Sequence, residues 1–181
     1  PYDAKGLLMS AIQEDNLVVF SEDKTLLGQK GNVPEEPYTI EIGKANVTRE
    51  GDDLTIVAIG KMVAVAEETA EKLAEDQVSV EVIDLRSVSP WDQETVLDSV
   101  KKTGRLIVID ESNPQCNIAG DVASVIGDVG FDYLDGPIKK VTAPDTPVPF
   151  AANLEAAYMP NADKVLDIAS ELIDDLKKAN A

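Results

Sequence analysis

Short, uninterrupted apolar runs alternate with amphipathic helical patterns through most of this chain. The runs are rich in β-branched residues and lack polar alternation, as strands do when both faces of their sheet are covered. The segments between them have apolar residues spaced for one helical face, and strands connected by such helices pair in parallel with right-handed crossovers. The pattern therefore predicts an α/β protein, a three-layer α/β/α sandwich with a mostly parallel sheet. The predicted strands are residues 54–59, 78–83, 106–109 and 137–141.

Helices are predicted between and after the strands, and the one that follows the second strand has the clearest end signals. Ser89 is its predicted N-cap, and Pro90 occupies the first helical position. Lys101 and Lys102 lie in its last turn, where positive charge favours the negative end of a helix, and Gly104 follows. The other predicted helices are residues 62–75, 117–127 and 162–178.

The predicted C-terminal helix carries an apolar stripe opposite an acidic face, and the acidic face has two interpretations. It is a solvated helix side, or it attracts a basic partner domain and raises the rate of association. Both interpretations remain open at this point. The stripe contains Val165, Ile168, Ala169, Leu172, Ile173 and Leu176, and the acidic face contains Asp163, Asp167, Glu171, Asp174 and Asp175.

The part of the chain before the first predicted strand is organised differently. Residues 3–14 have the spacing of a helix, and residues 17–20 form a short apolar run typical of a buried strand. Between residues 28 and 53, glycine, proline and polar residues predominate, which is typical of loops and linkers. We therefore predict a domain boundary, with one unit at residues 1–43 and a second at residues 44–181.

The chain is strongly acidic, with 34 acidic against 16 basic residues and a formal net charge of −18. A field of this sign repels phosphate backbones and anionic bilayers, which argues against nucleic-acid and membrane-surface functions. No apolar run approaches the roughly 20 residues that a membrane-spanning helix needs. The single cysteine excludes a disulfide framework and fits a reducing compartment, so we expect a cytoplasmic protein.

The sequence contains no histidine, which excludes every complete Ser-His, Cys-His or histidine–metal site within these residues. Any chemistry must use carboxylates and lysines or depend on residues outside this sequence. The chain begins at Pro1 and continues directly into a helical pattern without a leader-like apolar stretch. We therefore expect that it is a piece of a longer protein.

Ligands of open α/β sheets usually bind beyond the carboxyl ends of the strands, and several charged residues follow predicted strands here. Asp110 and Glu111, with Arg86 beside them, could perform acid–base or cation-binding chemistry. The alternative, which we favour, is that these side chains cap loops and pair with neighbours. A dinucleotide site is not expected, because Gly60 stands alone where a Rossmann turn has three glycines.

Two further segments each have a structural and a functional interpretation. Cys116 precedes a predicted helix, where its thiolate could be stabilised, but we favour a small, half-buried residue because no histidine is present to activate it. Residues 142–150 contain three prolines and predict a stiff, extended arm that exposes Asp145 and Phe150. The arm is either a rigid crossover loop or a strut at a subunit interface, and the sequence favours neither.

A series of sequence strings, collinear over nearly the whole chain, resembles the β subunit of the E1 component of 2-oxo acid and acetoin dehydrogenase complexes. Within this family, residues 113–116 are most similar to the acetoin dehydrogenase branch. The strings are residues 3–8, 34–38, 43–45, 82–90, 102–105, 110–116 and 141–150.

The resemblance implies an enzyme that uses thiamin diphosphate and Mg²⁺ to cleave a C–C bond beside a carbonyl and passes the acyl group to a lipoyl group on E2. It identifies residues 1–43 as the end of the pyrimidine-binding domain with its linker, and residues 44–181 as a transketolase-type C-terminal domain. The family's catalytic glutamate and histidine lie earlier in the β subunit, and its Mg²⁺ and diphosphate site lies in the α subunit. We therefore expect that this part binds neither thiamin diphosphate nor Mg²⁺ and carries no catalytic residue.

The resemblance also implies partners and two sites. The expected partners are the E1 α subunit, a second E1 β subunit and the subunit-binding domain of the E2 acyltransferase. The aspartate that contacts E2 in the family corresponds to Asp135. A structural K⁺ site found in some members corresponds to Ala11, Ile12, Glu14 and Asn16. The implied role of this chain is subunit assembly and E2 docking.

Two alternatives remain open. The first is the C-terminal domain of a transketolase or deoxyxylulose-phosphate synthase, although such domains usually belong to one long chain. The second is an independent flavodoxin-like binding module, which would bind a flavin or nucleotide without any other subunit.

Overall fold

The computed structural model describes residues 1–179, and it describes side-chain environments for residues 1–173. Its sheet has five strands in the spatial order β1-β3-β2-β4-β5. Strand β1 at one edge is antiparallel to β3, and all other neighbours are parallel. The strands are β1 (Asn46–Arg49), β2 (Leu54–Ala58), β3 (Val80–Asp84), β4 (Leu106–Ile109) and β5 (Lys139–Val141).

Helices cover both faces of this sheet, which confirms the predicted three-layer α/β/α sandwich. Helices α2 and α6 pack against each other on one face, and α3 and α4 pack on the opposite face. A 3₁₀ turn at Phe131–Tyr133 follows α4. The helices are α1 (Tyr2–Gln13), α2 (Met62–Glu75), α3 (Gln93–Thr103), α4 (Ile118–Val129), α5 (Ala152–Tyr158) and α6 (Ala162–Ala179).

The central strand β2 shows why its apolar run is uninterrupted. Leu54 and Ile56 pack in the core beneath α2 and α6, whereas Val57 packs in the core beneath α3 and α4. Every residue of β2 is buried. A strand buried on both faces has no position for a solvated side chain, so the sequence alternation of a half-exposed strand is absent.

The predicted start of α3 was wrong, because the helix begins at Gln93 and its N-cap is Asp92. The Asp92 carboxylate accepts the backbone N–H of Thr95 at 3.2 Å and that of Ala45 at 3.1 Å. One buried side chain therefore caps α3 and holds the chain that enters β1, and Ser89 does neither. The predicted end of the helix is confirmed, since Gly104 follows α3 with a φ of 69°.

The strand predicted at residues 17–20 is not formed in the described structure. Leu17 and Val19 are 94% and 86% exposed, and none of the described strands pairs with this run. A strand needs a neighbour for its backbone hydrogen bonds, so an apolar run without one stays irregular. The sequence prediction also missed β1 and α5, which are respectively a short edge strand and a helix of under two turns.

Residues 1–43 do not join the sheet, and α1 packs against the segment that leads to it. The rings of Tyr2 and Tyr38 stack at 4.6 Å, and the N–H of Ile40 donates to the carbonyl of Gly6 at 3.2 Å. A Cβ on Gly6 would lie 2.6 Å from the side chain of Ile40. The absence of a side chain at position 6 therefore lets the linker lie directly on the helix.

The apolar stripe predicted for the C-terminal helix can be followed as far as Ile173. In α6 the apolar stripe packs against α2, and its residues through Ile173 are buried except Ile168, which is half-buried. Leu176, Asp174 and Asp175 lie outside the residues whose side chains are described.

Among the described helices, none combines the length and the apolar character that a membrane crossing requires.

Candidate functional site

The charged residues at the carboxyl edge of the sheet form separate local contacts rather than one site. Glu111 pairs with Lys61 at 2.7 Å, which links the ends of the adjacent strands β4 and β2. Asp110 is 5% exposed and accepts the backbone N–H of Ser112 at 3.0 Å. Arg86 instead pairs with Asp3. The structure does not bring Arg86 to Asp110 and Glu111, so the capping interpretation accounts for these residues.

Arg86 connects the end of β3 to helix α1. Its Nη2 lies 2.6 Å from Oδ1 of Asp3, and its backbone N–H donates to Oδ1 of Asp84 at 2.9 Å. Its Nε is buried and has no hydrogen-bond partner among the described residues. Burial raises the pKa of Asp84 above its ordinary value of 3.8, and the nearby Asp3 carboxylate acts in the same direction. The ion pair with Asp3 therefore makes Arg86 a structural link between β3 and α1.

The loop before α4 and the proline-rich arm are tied to each other. Asn113 donates to the carbonyl of Pro144 at 3.1 Å, and Gln115 donates to the carboxylate of Asp145 at 3.2 Å. Asp145 and Phe150 are exposed, as predicted. The prediction that Cys116 is half-buried was wrong, because the residue is exposed. The residue that follows it, rather than the thiol, stabilises the start of α4, since the side chain of Asn117 caps this helix.

The four residues of the predicted K⁺ site lie at and just after the end of α1. Glu14 is the C-cap of this helix, and Ile12 is 70% exposed. The last carbonyls of a helix accept no hydrogen bond within it, so Ala11 and Ile12 offer main-chain oxygens and Glu14 offers a carboxylate. Oxygen donors of this kind suit hard cations. The donor types fit a cation, and the K⁺ site, with Asn16 as its fourth residue, stays a prediction.

Asp135 lies on an apolar surface that the 3₁₀ turn presents on the α3–α4 side of the molecule. This surface, which we call the Asp135 surface, contains a shallow depression of about 470 Å³. Its lining is largely apolar, and Asp135 is the only ionisable residue among the described residues that line it. The depression is lined by Gly127, Phe131, Leu134, Asp135, Gly136, Pro137 and Ile138.

Two aromatic residues that precede Asp135 in the chain are exposed. Phe131 is 69% exposed and Tyr133 is 47% exposed. The ammonium group of Lys101 lies 5.7 Å from the centre of the Tyr133 ring, at a cation–π distance. Contiguous exposed apolar groups with a polar rim are typical of protein-binding surfaces. The Asp135 surface is therefore the best candidate for a functional site among the described residues.

Asp135 was predicted as a site residue from the sequence, whereas Phe131 and Tyr133 were not. The sequence feature that could have indicated them is the segment 130–137, in which apolar and acidic residues are mixed between flanking glycine and proline residues. Such a segment is too short and too interrupted to bury its apolar residues in a helix or strand. An exposed turn with aromatic side chains was the remaining possibility.

Comparisons with known proteins agree on one domain type. A family model described as transketolase, C-terminal domain, matches residues 43–165. The chain is 52% identical over 173 residues to the β subunit of acetoin:2,6-dichlorophenolindophenol oxidoreductase of Bacillus subtilis, an alignment that covers 96% of this chain and 51% of that protein. It is 46% identical over 175 residues to the pyruvate dehydrogenase E1 β subunit of the same organism, covering 96% and 54%.

A solved structure of a split-gene transketolase, described as an inactive β4 tetramer, has a TM-score of 0.66 and 28% identity. That alignment covers 80% of this chain and 46% of the other chain. The present chain therefore spans about half the length of the relatives it matches. The matches confirm the resemblance that the sequence strings predicted and the fold class that the strand pattern predicted.

Proposed function

The chain belongs to the transketolase C-terminal domain family, and from this premise we propose that it forms the C-terminal part of the β subunit of an acetoin or pyruvate dehydrogenase E1 component. The relatives that support the proposal are an acetoin:2,6-dichlorophenolindophenol oxidoreductase subunit β at 52% identity and a pyruvate dehydrogenase E1 component subunit β at 46% identity. In this proposal the whole enzyme is a cytoplasmic oxidoreductase that cleaves a C–C bond beside a carbonyl and transfers the acyl group to E2. The role of residues 1–181 is to assemble the complex and to dock E2.

The proposal assigns the cofactor to other parts of the enzyme. Thiamin diphosphate supplies the electron sink of the reaction when it is bound with Mg²⁺. The described residues group no three histidine, cysteine, aspartate or glutamate side chains in a geometry that would bind a metal ion. The proposal places the Mg²⁺–diphosphate site in the α subunit, so no step of the reaction is assigned to the described residues.

The single observation that carries the docking role is the exposed Asp135 surface. The Asp135 carboxylate and the exposed Phe131 ring line its apolar depression, and the exposed Tyr133 ring lies two positions before Asp135 in the chain. A partner that fits it has a cationic side chain next to an aliphatic or aromatic one. The E2 subunit-binding domain is the proposed occupant, on the basis of the family aspartate that corresponds to Asp135.

Asp135→Ala is expected to weaken binding of the E2 subunit-binding domain of an acetoin dehydrogenase complex by about tenfold, since one charged contact is lost. Isothermal titration at low ionic strength measures the affinity. Added salt is expected to weaken the wild-type complex more than the variant complex, because salt screens the charge pair.

Glu71→Ala is the matched control, since it removes the same charge from an exposed position on α2, across the sheet. The net charge of −18 attracts any basic protein, and both variants reduce that general attraction equally. Equal weakening by the two variants would contradict a specific role for Asp135. In a parallel titration, thiamin diphosphate is expected to show no binding to this chain.

Assembly is the second part of the proposal. The similar split-gene transketolase is described as a β4 tetramer, so a β chain of this domain type can associate with copies of itself. We propose contacts with a second β subunit and with the E1 α subunit. Sedimentation velocity of the chain alone and with an α subunit tests both contacts.

A transketolase-type activity is the second candidate function, and the split-gene structure favours it. Its sequence identity of 28% is well below the 46–52% of the E1 β relatives, which is why we rank it second. Complementation separates the two, because only an E1 β chain would restore acyl transfer to lipoyl-E2 when it is supplied with an E1 α subunit and the rest of the β subunit.

Potassium is expected to stabilise the chain relative to lithium at equal ionic strength, if the proposed site at the end of α1 binds it. A ligand that binds only the folded state raises the midpoint of thermal unfolding, because it adds RT ln(1 + [L]/Kd) to the free energy of unfolding. Glu14→Gln is expected to remove the difference between the two salts, whereas Glu22→Gln, at an exposed position after the predicted ligands, is expected to keep it. Identical midpoints for the wild type in both salts would contradict the K⁺ proposal.

A further inference from the structure

Gly104 and Asp135 are in direct contact although they lie in different elements. Gly104 follows the last residue of α3, and its N–H donates to the carbonyl of Val100 at 2.8 Å. Its own carbonyl accepts the backbone N–H of Asp135 at 2.8 Å. The end of α3 is therefore bonded to the residue at the centre of the Asp135 surface.

The side chain of Asp135 occupies the space that a Cβ would fill at position 104. A Cβ built on Gly104 would lie 2.8 Å from the carboxyl carbon of Asp135 and closer still to one carboxylate oxygen. The φ of +69° at Gly104 is in the left-handed region, which side chains other than glycine and asparagine rarely adopt. The conformation favours glycine here, and any larger residue would displace the Asp135 carboxylate from this position.

Neighbours in the chain hold Gly104 in place on both sides. The hydroxyl of Thr103 is buried and lies 2.7 Å from that of Thr55 in the central strand. The guanidinium of Arg105 donates to the carbonyl of Asp53 at 2.8 Å. Lys102 pairs with the buried Glu81 of β3. The string 102–105, which resembles the E1 β family, therefore anchors the end of α3 to the sheet.

The location of Asp135 at the end of α3 also determines which partner charge it favours. The carboxyl end of a helix carries a partial negative charge, which adds to that of the carboxylate. The two lysines of the last turn are occupied elsewhere: Lys101 contacts Asp98 and Tyr133, and Lys102 contacts Glu50 and Glu81. A cationic side chain of a partner would therefore contact both the Asp135 carboxylate and the negative end of α3.

We propose that Gly104 is a positioning residue for Asp135, holding the carboxylate against the end of α3 so that the two together receive one cationic side chain of a docking partner. The inference rests on the proposed docking function and extends it to a residue that does not contact the partner. A glycine that only ends α3 would affect stability, whereas a positioning glycine affects binding through Asp135 and through no other residue.

A double-mutant cycle with the E2 subunit-binding domain tests the proposal in the full chain. Gly104→Ala is expected to weaken binding by about tenfold, similar to Asp135→Ala. In the Asp135→Ala background, the same substitution is expected to change the affinity by less than about twofold, because the residue through which it acts is absent. Gly104→Asn is the second variant, since asparagine tolerates the left-handed conformation while its Cβ still displaces the carboxylate.

Gly60→Ala is the matched control, because Gly60 also has a left-handed φ, of +59°, but a Cβ there would meet no atom within 4 Å. It is expected to bind as the wild type does. Additive losses in the cycle, or wild-type affinity of both Gly104 variants, would overturn the proposal. A second readout does not need a partner: hydrogen exchange of the Asp135 amide is expected to accelerate about tenfold in Gly104→Asn and to remain unchanged in Gly60→Ala.

These two readouts separate the failure of the inference from the failure of the proposed function. If the wild type does not bind the E2 domain but the Asp135 amide loses protection in Gly104→Asn, the docking function is wrong and the positional link stands. If the amide keeps its protection in both Gly104 variants, the positioning role itself is wrong, whatever the affinity for E2.

Discussion

Gly51→Ala is expected to lower the free energy of unfolding by about 3 kcal/mol or more. Gly51 is buried between β1 and β2, and a Cβ there would lie 2.5 Å from the carbonyl oxygen of Val80. It would lie closer still to the carbonyl carbon of Val80 and to the backbone nitrogen of Glu81. These atoms belong to β3, which pairs on both sides and cannot shift without breaking its ladders. The clash therefore involves main chain rather than an adjustable side chain.

Urea unfolding followed by circular dichroism measures this loss, and an unchanged slope with denaturant shows that the folded state is otherwise intact. The control is Gly28→Ala, because a Cβ on Gly28 would meet no atom within 4 Å. It is expected to be neutral or slightly stabilising, since alanine restricts the unfolded chain. Equal urea midpoints for Gly51→Ala and Gly28→Ala would contradict this prediction. They would show that the chain at residue 51 can move away from β3 at little cost in stability.

The covered part of the sheet was predictable from sequence because burial on both faces leaves a strong local signature. Every residue of β4 is buried, and the run from Leu106 to Ile109 is uniformly apolar. Strand β1 leaves no such signature, since it pairs only with β3 and keeps Thr48 exposed. The antiparallel edge of the sheet was therefore missed, although the layers and the parallel pairs were predicted correctly.

Contacts between distant residues were the part that sequence patterns could not supply. Arg86 and Asp3 are 83 positions apart, and no local rule joins them. The same limit applies to residues 17–20, whose apolar run predicts a strand but gives no information on whether a neighbouring strand is present. Asp92 shows a further limit: Ser89 and Pro90 match the preferred start of a helix, yet the carboxylate that reaches both Thr95 and Ala45 determines where α3 begins.

The candidate site was predictable only in part, for a related reason. Asp135 was identified through the family resemblance. Its position against the end of α3 depends on the hydrogen bond from its backbone N–H to the carbonyl of Gly104, which no sequence pattern predicts. Phe131 and Tyr133 have the residue types of a core, and only the structure shows that they are exposed. A sequence pattern identifies which residues can be buried. Exposed apolar residues become recognisable only after the core is complete without them.

Lys102→Met is expected to destabilise the domain by about 2 kcal/mol at pH 7, because it leaves the carboxylate of Glu81 without its cation. The Glu81 side chain is 4% exposed, and it also accepts the backbone N–H of Gly51 at 3.4 Å. Lys102 is 37% exposed, so solvent screens the pair in part, and the expected loss is below the range of about 3 to 5 kcal/mol for a fully buried pair. Lys24→Met, at an exposed position, is the control and is expected to be neutral.

The loss of stability in Lys102→Met should depend on pH, and the pKa shifts of Glu81 and Lys102 determine its direction. Burial raises the pKa of Glu81, but bonds from Lys102 and Ser99 outweigh it and hold the pKa below the ordinary value of 4.5. The bond to Glu81 raises the pKa of Lys102 above 10.5. The pair therefore stabilises the wild type fully between these values. The contribution is lost as pH falls through the pKa of folded Glu81, or as it rises through the pKa of folded Lys102.

A second substitution identifies the unpaired carboxylate as the cause of the loss. Glu81→Gln in the Lys102→Met background is expected to recover most of the stability, because a neutral amide is less costly to bury than a charge and can keep the contact with Gly51. The difference between the single and double variants is expected to be largest near pH 7 and to shrink as acid protonates Glu81 in the single variant. Urea midpoints at pH 7 and pH 4 measure both effects. A difference that is equal at the two pH values would mean that lost packing of the lysine chain, rather than an unpaired charge, destabilises the variant.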